Sequence, residues 1–350
     1  MMKQKMVMCL LAGVLMLGMS GCGTQEVETP EVENVETAEE EPVPEETAEE
    51  EGDEQEKTDA EDQLKEVPMV DDAAESEEIE PEETEPEETE EASAPAVYED
   101  GGQIPLDPSW TYADHSKINS GAAVLYKAAE NRKEIVVGVN AGHGTSGGTK
   151  VKTLCHPDGS AKVTGGTTAA GATEAVAVSS GMTFNDGTPE SSVTLRMAQI
   201  LKEKLLAAGY DVLMLRDGDD VQLDNVARTV ICNNAADCHI ALHWDGDGLN
   251  YDKGCFYISV PDGLKSMEPV ASHWSEHNAL GSALVEGLRA QGAKINGGGS
   301  MSIDLTQTSY STIPSVDMEL GNACSDHSDS VLDLLGNGLV QGVNSYFGQS

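Results

Sequence analysis

Apolar and polar positions follow two different periods over residues 101–350. Five short, mostly apolar runs read as strands, the first of them rich in β-branched residues: Glu134–Asn140, Asp211–Arg216, His239–Trp244, Gly254–Val260 and Ile313–Leu320. Pro314 lies near the start of the last, where its missing N–H is tolerated. A helical period runs over Pro189–Ala208, where Leu195, Ala198, Leu201 and Leu205 recur at three- and four-residue steps. Thr188 is its candidate cap, Pro189 suits its first position, and Gly209 can end it. Further helices are predicted over Leu223–Ala235, Ser275–Ala290 and Val331–Tyr346. Strands alternating with helices predict an α/β fold. The expectation is one domain, residues 101–350, with a mixed, largely parallel central sheet flanked by helices. Residues 145–187 are rich in Gly, Thr, Ser and Ala and show neither period. They read as a loop-rich insertion, and loops of that length in compact domains are often functional.

The first hundred residues follow another pattern. Lys3 and Lys5 precede an apolar run, Met6–Met19, that is short for a membrane span and has the form of a secretory signal. It ends at Met19-Ser20-Gly21-Cys22, which resembles the lipobox of bacterial lipoproteins. Residues 1–21 therefore read as a lipoprotein signal peptide. The resemblance implies a lipid anchor on Cys22 that holds the mature chain on the outer face of a membrane. Net charge sharpens the division. The 350-residue chain carries −43, and 35 of its 63 acidic residues lie between positions 25 and 100, against only Lys57 and Lys65. Pro-Glu-Glu-Thr occurs twice in succession, at Pro81–Thr84 and Pro86–Thr89. Such a segment buries too little surface to offset its chain entropy, so residues 22–100 read as a disordered acidic tether. An acidic tail for a basic partner or Ca²⁺ is the other reading. No basic stripe exists to displace counterions from phosphates, which excludes a nucleic-acid binder. A single apolar run excludes a multi-pass membrane protein. Five cysteines remain after Cys9 and Cys22, an odd number without a Cys-x-x-Cys pair. Buried thiols are expected rather than a disulfide framework.

Candidate chemistry lies at strand ends. His143 follows the first strand in Gly-His-Gly, His243 closes the third and Glu319 the fifth. In open α/β sheets these carboxyl ends line the ligand crevice. Glu190 sits in the first turn of its helix, where the dipole favours a carboxylate. Two imidazoles and a carboxylate form a common catalytic Zn²⁺ set, and a second carboxylate can act as general base.

Gly142-His143-Gly144 after a Val-rich strand resembles the first motif of the zinc-dependent N-acetylmuramoyl-L-alanine amidases. Glu190, followed by Leu205–Val212 and Leu215-Arg216, is similar to their glutamate-bearing helix and next strand. Arg228 and Asn234–His243 are similar to their Arg…Ala-Asn…Ala-Asp…Ser-Ile-His stretch. Ile313–Gly321 resembles their Pro-Ala-Val-x-Val-Glu-x-Gly block. The resemblance spans about Ile135 to Asp333, with all four motifs in order. It implies that His143, Glu190 and His243 bind Zn²⁺, that Glu319 activates the water, and that peptidoglycan is the substrate. It also implies an enzyme on the extracellular side of the membrane, facing the cell wall. Trp244-Asp245 stands where the family usually has Ala-Asn, and the 145–187 insertion enlarges the gap between the first two ligands. Glu174, inside that insertion, competes with Glu190 for the carboxylate role. Backbone N–H groups around Gly142–Gly144 are candidate oxyanion donors.

Two other motifs point elsewhere. Gly144-Thr145-Ser146-Gly147-Gly148 fits the nucleophile-elbow pattern, but no helical period follows. His273-Trp274-Ser275-Glu276-His277 fits an inverted zinc-peptidase motif with no evident third ligand. His156, His239 and His327 receive no role. The alternative function is a non-catalytic, wall-binding surface lipoprotein on the same fold. A pseudoenzyme of that kind could lose ligands and base without losing the fold, whereas all four residues stand here.

Overall fold

The computed structural model describes residues 98–349. The signal peptide, Cys22 and nearly all of the tether lie outside the described residues. Within them, strands and helices follow in the order β1 (Gln103–Pro105), β2 (Ala122–Tyr126), β3 (Val136–Ala141), β4 (Lys152–Leu154), β5 (Glu174–Val176), α1 (Glu190–Ala207), β6 (Asp211–Met214), α2 (Asn225–Ala235), β7 (Cys238–Asp245), β8 (Cys255–Ser259), α3 (Val270–Ala290), β9 (Ile295–Ser302), α4 (Thr306–Tyr310), β10 (Ser315–Asn322) and α5 (Asp329–Tyr346). Eight strands form one sheet in the order β1-β2-β6-β3-β7-β10-β8-β9. Its centre, β6-β3-β7-β10, is parallel, while β2 and β8 join it antiparallel. This is the expected mixed α/β sheet, extended at both edges by strands with weak sequence signals.

Side-chain alternation sorts the sheet into two faces. Val137 and Val139 of β3, Ile240 and Leu242 of β7, and Val316 and Met318 of β10 bury together against α1, α3 and α5. Each such side chain contributes about 1.5–3 kcal/mol on burial. The opposite face carries Asn140, His239 and Ser315, which are polar yet buried. They are satisfied there: Arg228 of α2 donates to Asn140 Oδ1, and Gln307 of α4 donates to Ser315 Oγ. Polar chemistry is therefore concentrated on the α2/α4 face.

Helix α1 buries Val193, Met197, Leu201 and Leu205 at four-residue steps. Leu195, expected on that stripe, is only half-buried. Thr188 does not cap the helix. Pro189 is the extended N-cap residue, and Glu190 opens the helix with its N–H donated to the Met182 carbonyl. Helix α3 begins at Val270, five residues before the expected Ser275.

Helix α2 has a side-chain cap. Asp224 Oδ1 accepts from Ala227 N at 2.8 Å. Its Oδ2 accepts from Ser116 Oγ and from the backbone N–H groups of Lys117 and Ile118. One buried carboxylate thus ties the N-terminal segment to α2. Asp224→Ala strands those donors, and we expect a loss of about 2–4 kcal/mol in denaturant unfolding. A loss under about 0.5 kcal/mol would show that the clamp is dispensable.

Candidate active site

Parallel register brings the predicted residues to one edge. In β3 and β7, Ala141 lies opposite Leu242, so His143 and His243 emerge side by side. In β7 and β10, His243 lies opposite Glu319. Glu190, the first residue of α1, comes in from the adjoining layer. His143 Nε2 is 2.9 Å from Glu190 Oε1, His243 Nδ1 is 3.2 Å from the same oxygen, and the two imidazole nitrogens are 3.1 Å apart. Among the described residues these three form a group able to hold a metal ion. Glu174 is not part of it: it lies exposed on β5.

The surroundings explain the convergence. A Cβ on Gly142 would fall 2.2 Å from His243 Cε1, inside the space of the ring. A Cβ on Gly181, which has φ +81°, would fall 2.8 Å from His143 Nε2 and 2.9 Å from Glu190 Oε2. The His143 backbone is itself left-handed, φ +66°, a conformation that L residues adopt only when their surroundings enforce it. Two buried arginines do so. Arg216 donates to the carbonyls of Ala141, Gly142 and Ser191. Arg228 donates to those of Ala141 and His143. Burial pushes the Arg216 guanidinium down to about 10; burial and the nearby Arg216 charge push Arg228 to about 9. Both remain charged at neutral pH, and backbone carbonyls serve where acids would usually pair them.

The donor chemistry fits a metal. His143 Nδ1 lies 3.0 Å from the Ser179 carbonyl, to which it donates, so Nε2 is the nitrogen turned toward Glu190 and a metal. Burial works against charge on Glu190, but hydrogen bonds to His143 and His243 outweigh it and hold the carboxyl well below its usual range. Burial likewise opposes a charged His243, yet the carboxylates of Asp317 and Glu190 raise it to about 10. In the metal-free chain the His243 proton lies among these atoms, and a metal ion taking its place would meet the same carboxylate and the same donors. Their 2.9–3.2 Å spacings approach the roughly 3.3 Å separation of donors around a tetrahedral zinc with bonds of about 2.0–2.1 Å.

The group opens into a cleft of about 630 Å³. The insertion builds one wall with Lys162, Thr167, Ser180 and Met182, and Trp244 and Asp245 lie on another side. Read from sequence as loop alone, the insertion contains the β4–β5 hairpin. Glu319 lines the cleft, and its buried Oε2 has no hydrogen-bond partner. Burial, reinforced by the Asp317 charge, pushes its carboxyl well above the usual range. Asp317, two residues earlier on the same strand face, was missed from sequence. Two acids at i and i+2 in an otherwise apolar strand were the available signal. Ser179 and Gly181 had none.

Other expectations fare differently. The Gly142 N–H donates to the Leu242 carbonyl, so it is not free for an oxyanion. Ser146 is exposed and followed by a 3₁₀ turn, not the helix that an elbow needs. His277 is buried and accepts from Ser315 N, so it acts as a core hydrogen-bond acceptor. The five domain cysteines are free thiols, four of them buried. No helix among the described residues is long and apolar enough to cross a membrane.

Residues 137–333, more than half of the chain, match the sequence profile of the N-acetylmuramoyl-L-alanine amidases. The chain belongs to this family of cell-wall amidases. Its structure is similar to the N-acetylmuramyl-L-alanine amidase of Mycobacterium smegmatis, with 19% identity over 63% of this chain and 99% of that one, and a TM-score of 0.52. It is also similar to the corresponding amidase of Mycobacterium abscessus, with 21% identity over 61% and 99% and a TM-score of 0.49. A third is the catalytic domain of CwlV from Bacillus (Paenibacillus) polymyxa, at 15% over 62% and 99% and a TM-score of 0.43. At such identities the first likeness speaks for the fold. No curated protein matches the chain.

Proposed function

We propose that this chain is a zinc-dependent hydrolase that cuts the amide between the lactyl group of N-acetylmuramic acid and L-alanine in peptidoglycan. The observation that carries this reading is the meeting of His143 Nε2, His243 Nδ1 and Glu190 Oε1 within 2.9–3.2 Å, with Glu319 beside His243 in the same cleft. These three residues would hold Zn²⁺, which supplies a Lewis acid to polarise the scissile carbonyl and acidify the attacking water. Glu319, which lines the cleft, takes the proton of that water and delivers it to the alanine nitrogen as the amide breaks; the positive charge of a metal beside it would offset the burial that disfavours its carboxylate. Arg216 and Arg228 keep the His143 turn in place, and the Ser179 carbonyl keeps its ring in the right tautomer.

The test is digestion of purified peptidoglycan by the protein, with and without a chelator, with products identified by mass. Stem peptides with a free L-alanine N-terminus, lost on chelation and restored by Zn²⁺, are the expected result. Cleavage within the peptide would mark a peptidase, and no cleavage a wall-binding module. We further place the mature protein on the extracellular face of the bacterial membrane, anchored by lipid at Cys22, with residues 22–100 spanning toward the wall. Incorporation of labelled fatty acid that survives Cys22→Ala would overturn this placement.

A further inference from the structure

The two histidines of the site are supported unequally. His143 has its outer nitrogen fixed by the Ser179 carbonyl at 3.0 Å and the Ser179 hydroxyl at 3.1 Å. For His243, Nδ1 faces Glu190 and His143, while Nε2 makes no hydrogen bond among the described residues. One carboxylate stands opposite that nitrogen: Asp317 Oδ2, 3.9 Å away. Strand geometry puts it there. Asp317 pairs with Ala241 and Glu319 with His243 across β10 and β7, so both acids share the face from which His243 rises.

Asp317 has no other evident employment. It is 9% exposed, its Oδ1 is buried without a hydrogen-bond partner, and His243 is the one basic group within 4.0 Å of its carboxylate among the described residues. A buried carboxylate left unpaired is costly, and an apolar side chain of similar size would fit a strand whose neighbours are Val316 and Met318. A gap of 3.9 Å is too narrow for a bridging water. It closes to a direct hydrogen bond by a shift of about 1 Å, which nothing bonded to Oδ1 resists.

We propose that Asp317 is a positioning residue: it accepts the Nε2–H of His243 and so holds that ring in the tautomer and orientation that present Nδ1 to the metal. The proposal deepens the metal reading above and rests on it. A carboxylate behind a ligating imidazole fixes the ring and raises its basicity, and removing such a partner typically costs about 10–100-fold in metal affinity. The pairing also divides the acids of β10, with Asp317 serving the ligand and Glu319 the water.

The experiment is zinc affinity by chelator competition on the full chain, for the wild type, Asp317→Leu and Asp317→Asn. Asp317→Leu should bind zinc about 10–100-fold more weakly. Asp317→Asn, whose amide oxygen still accepts from Nε2–H, should fall between. The metal-free Leu variant should melt no lower than the wild type, because it buries no unpaired charge. Zinc affinity of Asp317→Leu within twofold of wild type overturns the proposal and leaves the metal reading standing. A wild type that binds no zinc overturns both. A measurement independent of any variant is the ¹⁵N spectrum of the histidines in the zinc-loaded wild type. His243 Nε2 should carry a hydrogen-bonded proton, and an unprotonated Nε2 overturns the assignment.

Discussion

Glu319→Gln should lower turnover by about 10²-fold or more while leaving zinc bound, the scale of losing a positioned acid–base group. The substitution keeps shape and hydrogen-bonding capacity and removes only the basic carboxylate. Glu319 lies outside the three-residue metal group, beside His243 in register, and lines the same cleft. His243→Ala behaves differently. It removes one of three donors, so metal and activity should disappear together. Zinc content per chain, read beside the rate of stem-peptide release for both variants, separates the two roles. Near-normal turnover of Glu319→Gln would make Glu319 structural and put the base elsewhere.

Gly142→Ala should be nearly as damaging, although it adds one methyl group. That Cβ would land 2.2 Å from His243 Cε1 and 2.5 Å from Nε2. The obstacle is a ring packed in the site, so either the ring or the β3 end must move. We expect zinc affinity to fall by at least the 10–100-fold (about 1.4–2.7 kcal/mol) typical of losing an orienting partner, because here a donor itself is displaced. Gly298→Ala is the control, since a Cβ there meets open space. Equal zinc binding by Gly142→Ala and wild type would mean that the ring is not held where the structure places it.

Much of this site could be read along the chain. His143 follows a strand, Glu190 begins a helix, and His243 and Glu319 lie in the carboxyl-terminal halves of β7 and β10, places that local pattern marks. Strands β3, β6, β7, β8 and β10 were likewise visible because short apolar runs between helical periods are local signals. Strand β9, Ile295–Ser302, was not: its Asn-Gly-Gly-Gly segment has no alternation, and pairing with β8 alone makes it a strand. Strands β1 and β2 escaped for a similar reason: both are short and are defined by their pairing, β1 at the sheet edge with β2, and β2 between β1 and β6. Thr188 looked like a cap because its residue type suits one, but the chain enters α1 through an extended Pro189 whose backbone does that work.

The sequence by itself determined the α/β class, the carboxyl-edge location of the chemistry and the family, because each rests on residue order and local period. Tertiary structure alone decided the rest. It chose Glu190 over Glu174, since only the α1 start reaches the two imidazoles. It brought Ser179 and Gly181 of the insertion against His143, and it turned Arg216 and Arg228 inward onto the carbonyls of residues 141–143. It also set Asp317 behind His243. The reason is physical. Strand and helix periods are written in neighbours along the chain, whereas hydrogen bonds between side chains and carbonyls tens of residues apart depend on distances that exist only after the sheet has closed.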